Sequence, residues 1–206
     1  MAFLSLEPSR MSVGEVYDVL VAGIQPRPIA FVSTLDQAGR PNLAPFSFFM
    51  PGGASPPSLV VSVTLGAEGR RKDTLRNVEA TREFVVNVVV RAMAEGMNAT
   101  SFAFPHGSSE WEPGGFTALP SEVVSPPRVA ESPLQFECEL YEVLQHGEGS
   151  GAACYIVGEV VRMHVSEEIW KDGAIDPLAL RPISRLGGPN YLDTDAMERF
   201  SMERPG

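Results

Sequence analysis

Three consecutive cations, Arg70, Arg71 and Lys72, stand directly before Asp73, Thr74 and the helical run DTLRNVEAT. A helix N-terminus offers backbone N–H groups without intrahelical partners and about half a positive charge, so it suits a phosphate. Arg71 and Lys72 add charge to such a site, and the Thr74 hydroxyl adds a directed donor. The same residues also read as a solvated turn with Asp73 as an ordinary N-cap. A second segment, Asn42–Phe49 (NLAPFSFF), holds three Phe and one Pro, with Asn42 and Ser47 as its only side-chain hydrogen-bonding groups. Pro within a strand marks an edge or a bulge, where backbone groups are free for a ligand. Aromatic side chains beside such groups suit a flat heteroaromatic ring; a Phe-rich core strand is the alternative.

Other chemistries find little support. His106, His146 and His164 are far apart in sequence, and neither a His-x₃-His nor a Cys-x₂-Cys pair exists, so no metal site is expected. Ser150 has Glu148 and Ala152 where a nucleophile elbow needs Gly. Gly147, Gly149 and Ala152 have dinucleotide-fingerprint spacing, but they join two strand-like segments and read as a hairpin turn.

These segments must be positioned by short strands. The 206 residues include 18 Pro and 19 Gly, many for a helical bundle and natural for strands joined by turns. A helix is expected over 14–22 and strands over Arg27–Thr34, Asn42–Met50, Leu59–Leu65, Phe84–Val90, Leu134–Gln145 and Ala152–Val165. Leu59–Leu65 is nearly all apolar or small and is expected to be buried on both faces. Residues 51–57 read as a loop and 91–102 as helical. Residues 105–133, with six Pro and three Gly, read as an irregular excursion rather than core, and 194–203 as a short helix. The pattern is mainly β with helical additions, an antiparallel β-barrel in one domain over 1–206.

Net charge is −10, from 16 Lys+Arg against 26 Asp+Glu, which argues against nucleic acid as a partner. No apolar stretch approaches the ~20 residues of a bilayer span, and the N-terminus lacks a basic signal region. A hairpin turn near Glu148 would place Cys154 opposite about position 142, away from Cys138. Two reduced, buried thiols and a cytoplasmic protein follow.

The ordered blocks RPIAFVST, D-x-x-G-R-x-N-L-A-P-F-S-F-F, PPSLVVSV, R-K-D-T-L-R-N with EFVVNVV, and SRLGGPNY span roughly residues 20–192. In their order and spacing they resemble the flavin reductase-like family of FMN-binding split-barrel proteins, the flavoredoxin-type branch. The resemblance implies an antiparallel Greek-key split β-barrel forming a homodimer, with one FMN per subunit near the subunit interface. It implies that Asn42, Ala44 and the rest of the segment to Phe49 lie against the isoalloxazine, with backbone donors at Ser47 and Phe48. Ser62 and Val63 would line the flavin from the next strand, and Arg71, Lys72, Asp73 and Thr74 would hold the phosphate. Arg185 and Tyr191 would either close over the ring or belong to a structural loop held by two glycines.

The family's activity implies an FMN-dependent oxidoreductase taking hydride from NAD(P)H, with an acceptor the sequence does not name. The two-component reductases of the wider family carry a Gly-Asp-x-x motif ending in His. Here the corresponding stretch is His146-Gly147-Glu148, followed by Val157-Gly158-Glu159-Val160. An FMN-binding electron carrier or redox-responsive module is therefore the alternative reading. His146 either faces the flavin or is a solvated turn residue.

Overall fold

In the computed structural model, which describes residues 1–102, 104–196 and 202, helix α1 (Val13–Gly23) starts at a capping box between Ser12 and Glu15. Strands β1 (Arg27–Pro28), β2 (Ala30–Leu35), β3 (Pro41–Phe46), β4 (Phe49–Ala54) and β5 (Pro57–Thr64) follow, then α2 (Asp73–Thr81) and β6 (Glu83–Val88). Next come α3 (Ala94–Ala99), α4 (Trp111–Gly114), β7 (Ala118–Leu119) and β8 (Arg128–Val129). A long hairpin of β9 (Leu134–His146) and β10 (Ala153–Val165) precedes β11 (Trp170–Lys171), β12 (Ala174–Ile175), α5 (Pro177–Leu180), β13 (Ile183–Arg185) and β14 (Tyr191–Asp193). The helix expected over 194–203 is a 3₁₀ turn at Thr194–Ala196, and the rest of that span lies outside the described residues apart from Met202.

Seven strands form one antiparallel sheet in the order β3-β2-β6-β9-β10-β5-β4. Its two edge strands, β3 and β4, are consecutive in the chain, separated only by Ser47 and Phe48. Laid flat, the edges of such a sheet would be roughly 29 Å apart. The Cα atoms of Phe46 and Phe49 lie at most about 11 Å apart, so the sheet must curl until its edges meet. The chain, rather than a full hydrogen-bond ladder, closes this barrel along the seam, which makes it a split barrel. Going round it, β2, β3 and β4 run consecutively and β6 returns to lie beside β2, a Greek-key arrangement. The expected single strand Asn42–Met50 is thus two strands, and part of the expected loop 51–57 is β4. Pro45 sits in an edge strand, where its missing N–H costs no ladder bond.

The barrel is filled by Val32, Val61, Val63, Phe84, Val86, Leu140 and Ile156, with Leu75 and Val78 of α2 closing one end. At Gly158 a Cβ would lie 2.3 Å from Phe84 Cζ, so only glycine lets the bulged strand pass that ring. A second cluster, with Phe31, Leu43, Met93, Met97, Trp111 and Val129, packs on the outer side of β2. Consequently β2 and β6, not the expected Leu59–Leu65, are buried on both faces. In β5 burial alternates, because nothing covers Ser58, Val60, Ser62 and Thr64 as completely.

Residues 105–133 are not peripheral. Trp111 and Val129 belong to the second cluster, and buried polar side chains tie the segment to the barrel. Asn87 accepts from Val129 N–H at 2.9 Å, Gln135 donates to the Val129 carbonyl at 2.7 Å, and Glu137 accepts from the N–H groups of Glu122, Val123 and Val124. Both cysteines are free and buried, and burial pushes both thiols up. Cys154 faces Gln145 rather than position 142, because the hairpin turn is centred later than expected.

Candidate functional site

A cavity of about 430 Å³ opens between β3, the N-terminus of α2 and residues 100–102 and 104–110. Lys72 occupies the N-cap position of α2 without any side-chain capping bond, so the first-turn N–H groups are left as donors. Its ammonium lies 5.6 Å from the Phe46 ring centroid, and no carboxylate among the described residues pairs with it. The side chain as a whole stays solvent-accessible, but crowding around the ammonium lowers its pKa by desolvation. Arg70 and Arg76 line the same cavity, and the Ala44–Phe46 stretch of β3 forms an opposing wall.

Asp73 is the first helical residue, not the N-cap, and its carboxylate turns away from the helix end. Oδ1 lies 2.6 Å from His106 Nδ1, and Oδ2 accepts from Gly107 N–H at 3.2 Å. Glu110, buried nearby, accepts from Leu43 N–H at 2.9 Å. Desolvation raises the Glu110 pKa, opposed by that N–H bond. Asn42 is oriented by its partners. With Nδ2 directed to Glu110 Oε1 at 3.2 Å, its oxygen accepts from Thr74 Oγ1 at 3.0 Å. The Thr74 hydroxyl is thereby engaged inside the protein and is not the free donor the sequence suggests. Arg71 is likewise committed, bonded to Glu79 and, at 3.0 Å, to Gln145.

The family model for the flavin reductase like domain matches residues 22–180. The chain belongs to the flavin reductase-like family. An uncharacterized protein of Halalkalibacterium halodurans is 43% identical over 98% of this chain and 97% of its own. The crystal structure of nitrilotriacetate monooxygenase component B from Bacillus cereus superposes with a TM-score of 0.93 at 38% identity, covering 98% of this chain and 100% of that one. The 2-nitrobenzoate 2-nitroreductase of Pseudomonas fluorescens gives 0.87 at 31% identity, covering 98% and 99%.

Of the site residues inferred by resemblance to this flavin reductase-like family, Asn42, Ala44, Arg71, Lys72, Asp73 and Thr74 meet at the one cavity. The others do not line it. Ser47 and Phe48 form the barrel seam, where the Phe48 carbonyl accepts from Ser62 N–H at 2.7 Å. Phe49 faces Val61 across the β4–β5 pair, and the Val63 side chain is wholly buried in the barrel. Arg185 stacks on Tyr191 at 4.6 Å in the small sheet β1-β13-β14 and donates to the Gly188 carbonyl, so SRLGGPNY is a hairpin rather than a loop. His146 is exposed at the end of β9.

Sequence reasoning missed three groups. Arg27, opposite Arg185 in register, is buried and donates to the carbonyls of Val21, Ile24 and Leu186, with the Ser47 hydroxyl 3.5 Å away. It ties α1, the β13–β14 hairpin and the seam together, and desolvation lowers its pKa. His106 and Glu110 lie in the Pro- and Gly-rich stretch whose composition carries no period. Only the folded chain brings them to α2 and β3.

Proposed function

We propose that the protein binds FMN and acts as an oxidoreductase, taking hydride from NAD(P)H and passing electrons to free flavin, a protein partner or a small acceptor. The observation that carries this reading is a cavity pairing an ammonium with no carboxylate partner among the described residues, at a helix N-terminus without a side-chain cap, with a wall of Ala44, Pro45 and Phe46. Those groups fit a phosphate at one end and an apolar ring at the other. When bound, FMN would supply the hydride-accepting and electron-donating chemistry itself. The chain's part is then to hold and orient: Lys72 and the first turn of α2 toward the phosphate, β3 and the seam residues Ser47 and Phe48 toward the ring. Phe49, Ser62 and Val63 support the seam from β4 and β5, and Arg185 and Tyr191 stand near it through Arg27. The relatives named as a monooxygenase component and a nitroreductase favour a role as reductase. Anaerobic mixing of the FMN-loaded protein with NADH and with NADPH tests it. Bleaching of the flavin band with either donor is expected, and no bleaching with both removes the reductase reading.

A second reading, an FMN-binding electron carrier or redox-responsive module, is favoured by the missing Gly-Asp motif. The corresponding residues, His146–Glu148, run from the exposed last residue of β9 into the β9–β10 turn. On that reading a one-electron donor reduces the bound FMN far faster than nicotinamide does.

We further read residues 1–206 as one split-barrel domain, with a core of about 20–192, that assembles as a cytoplasmic homodimer. Val13, Tyr17, Leu20 and Ile24 follow helical spacing along α1 and are 62%, 48%, 45% and 62% exposed, an apolar stripe that a second copy would cover. Tyr17 contacts Phe48 with ring centroids 6.2 Å apart, so the stripe borders the seam. No helix among the described residues is long and apolar enough to cross a membrane.

A further inference from the structure

The wall formed by residues 104–110 is held to the phosphate end of the cavity by two carboxylates pointing in opposite directions. Asp73 of α2 reaches out to His106 Nδ1 and Gly107 N–H. Glu110 of the wall reaches back to Leu43 N–H and Asn42, and Asn42 in turn holds Thr74, the neighbour of Asp73. The two links form a closed circuit, α2 to wall to β3 to α2. Gly107 is fixed within it: its φ is +79°, and a Cβ there would lie 3.0 Å from Arg40 Nη1.

The circuit answers a problem posed by Asp73. A carboxylate in the first turn of a helix is itself attracted to the helix terminus. Turned inward, it would compete with a bound phosphate for the same N–H groups and for Lys72. Its two bonds to His106 and Gly107 draw it outward instead. We propose that His106 is a positioning residue for this site: by latching Asp73 to the 104–110 wall, it keeps the helix terminus open to the phosphate of a flavin mononucleotide, while Glu110 anchors the wall on which His106 sits. The inference rests on FMN being the ligand, and it concerns discrimination between phosphorylated and unphosphorylated flavin rather than flavin binding as such.

His106 has a side chain 62% exposed, so its removal leaves the core intact. The test measures dissociation constants for FMN and riboflavin on the full chain. In His106→Ala, FMN weakens about tenfold, as for loss of one charge-assisted interaction, while riboflavin stays within error. In His106→Asn, whose amide reproduces the Nδ1 donor, FMN affinity is restored. In the double variant Asp73→Asn with His106→Ala the competing charge is gone, and FMN binds more tightly than in His106→Ala alone. A structural role would predict the reverse, since the double variant has lost more contacts. An unchanged FMN-to-riboflavin ratio in His106→Ala, or a double variant no better than the single, overturns the latch. Equal binding of FMN and riboflavin by the wild-type protein would instead overturn the phosphate-site reading, and the latch with it.

Discussion

Glu137 Oε1 lies 2.6 Å from His164 Nε2, and the carboxylate is closed off from solvent beneath residues 122–124. Burial alone would raise the Glu137 pKa. The Glu122 N–H, the His164 ring and the N–H groups of Val124 and Val123 outweigh it and bring the carboxyl down to about 2. Because the folded value is depressed, the associated stability is fully present above the unfolded carboxylate pKa of about 4.3 and is lost as pH falls toward 2.

A difference of between two and three pKa units corresponds to roughly 3 kcal/mol. Glu137→Gln presents an amide N–H₂ to three N–H donors and should lose a similar amount at pH 7. For a chain of this size that lowers the melting temperature by about 6–12 °C. Urea midpoints of wild type and variant, measured from pH 7 to pH 2.5, should converge in the acid limb. A constant gap across that range would mean the carboxylate is not the source of the stability.

Much of the barrel is legible because its strands carry period-2 or continuous apolar runs and α2 carries a helical one. The failures have physical causes. Extended backbone from Asn42 to Met50 gives no sign that the chain changes sheet edge at Ser47 and Phe48, since both halves are strand-like. The apolar run Leu59–Leu65 does not reveal what covers its outer face, whereas Phe31 of β2 is covered on the second face by a cluster that includes Met97 of α3, Trp111 of α4 and Val129 of β8. Asp73 has the residue type of an N-cap, but Gly107 and His106, more than thirty residues away, claim its carboxylate. Charge and helix start single out Lys72, which lines the cavity. The wall residues His106 and Glu110 depend on tertiary contacts that no local pattern encodes.

Gly158 tests the barrel interior. Gly158→Ala drives a methyl group into the Phe84 ring, and overpacking of this kind costs about 1–3 kcal/mol. Phe84→Leu, which shortens the ring, should recover part of that loss when combined with Gly158→Ala. Denaturant midpoints of the four proteins give the coupling, and simple additivity would show that the two side chains do not meet.

The apolar stripe on α1 gives a prediction about assembly. Leu20→Glu places a charge at its centre while leaving Val21, the buried residue of the helix, untouched. Sedimentation should show a dimer for the wild-type chain and a 22.2 kDa monomer for the variant, both folded by circular dichroism. A wild-type monomer at micromolar concentration with FMN bound would remove the dimer.

Lys72 links the cavity to a measurable energy. If its ammonium holds a phosphate, Lys72→Ala should weaken FMN about 10- to 100-fold and leave riboflavin nearly unchanged. The direction of its pKa shift adds a second signature. Desolvation favours the neutral amine, so the charged form that binds phosphate is lost at lower pH than for an ordinary lysine. FMN affinity should therefore decline on the alkaline side earlier than ordinary lysine titration would give. Phosphate in place pulls the other way, favouring the ammonium and raising its pKa in the complex, so FMN binding at alkaline pH should take up protons. Lys72→Arg, whose guanidinium stays charged, should flatten the decline even if its wider head binds more weakly. Affinity measured for FMN and riboflavin from pH 7 to pH 10 on the three proteins decides the matter. A decline of the same size in Lys72→Arg would assign the titration to another group, and equal losses for both flavins in Lys72→Ala would place the phosphate elsewhere.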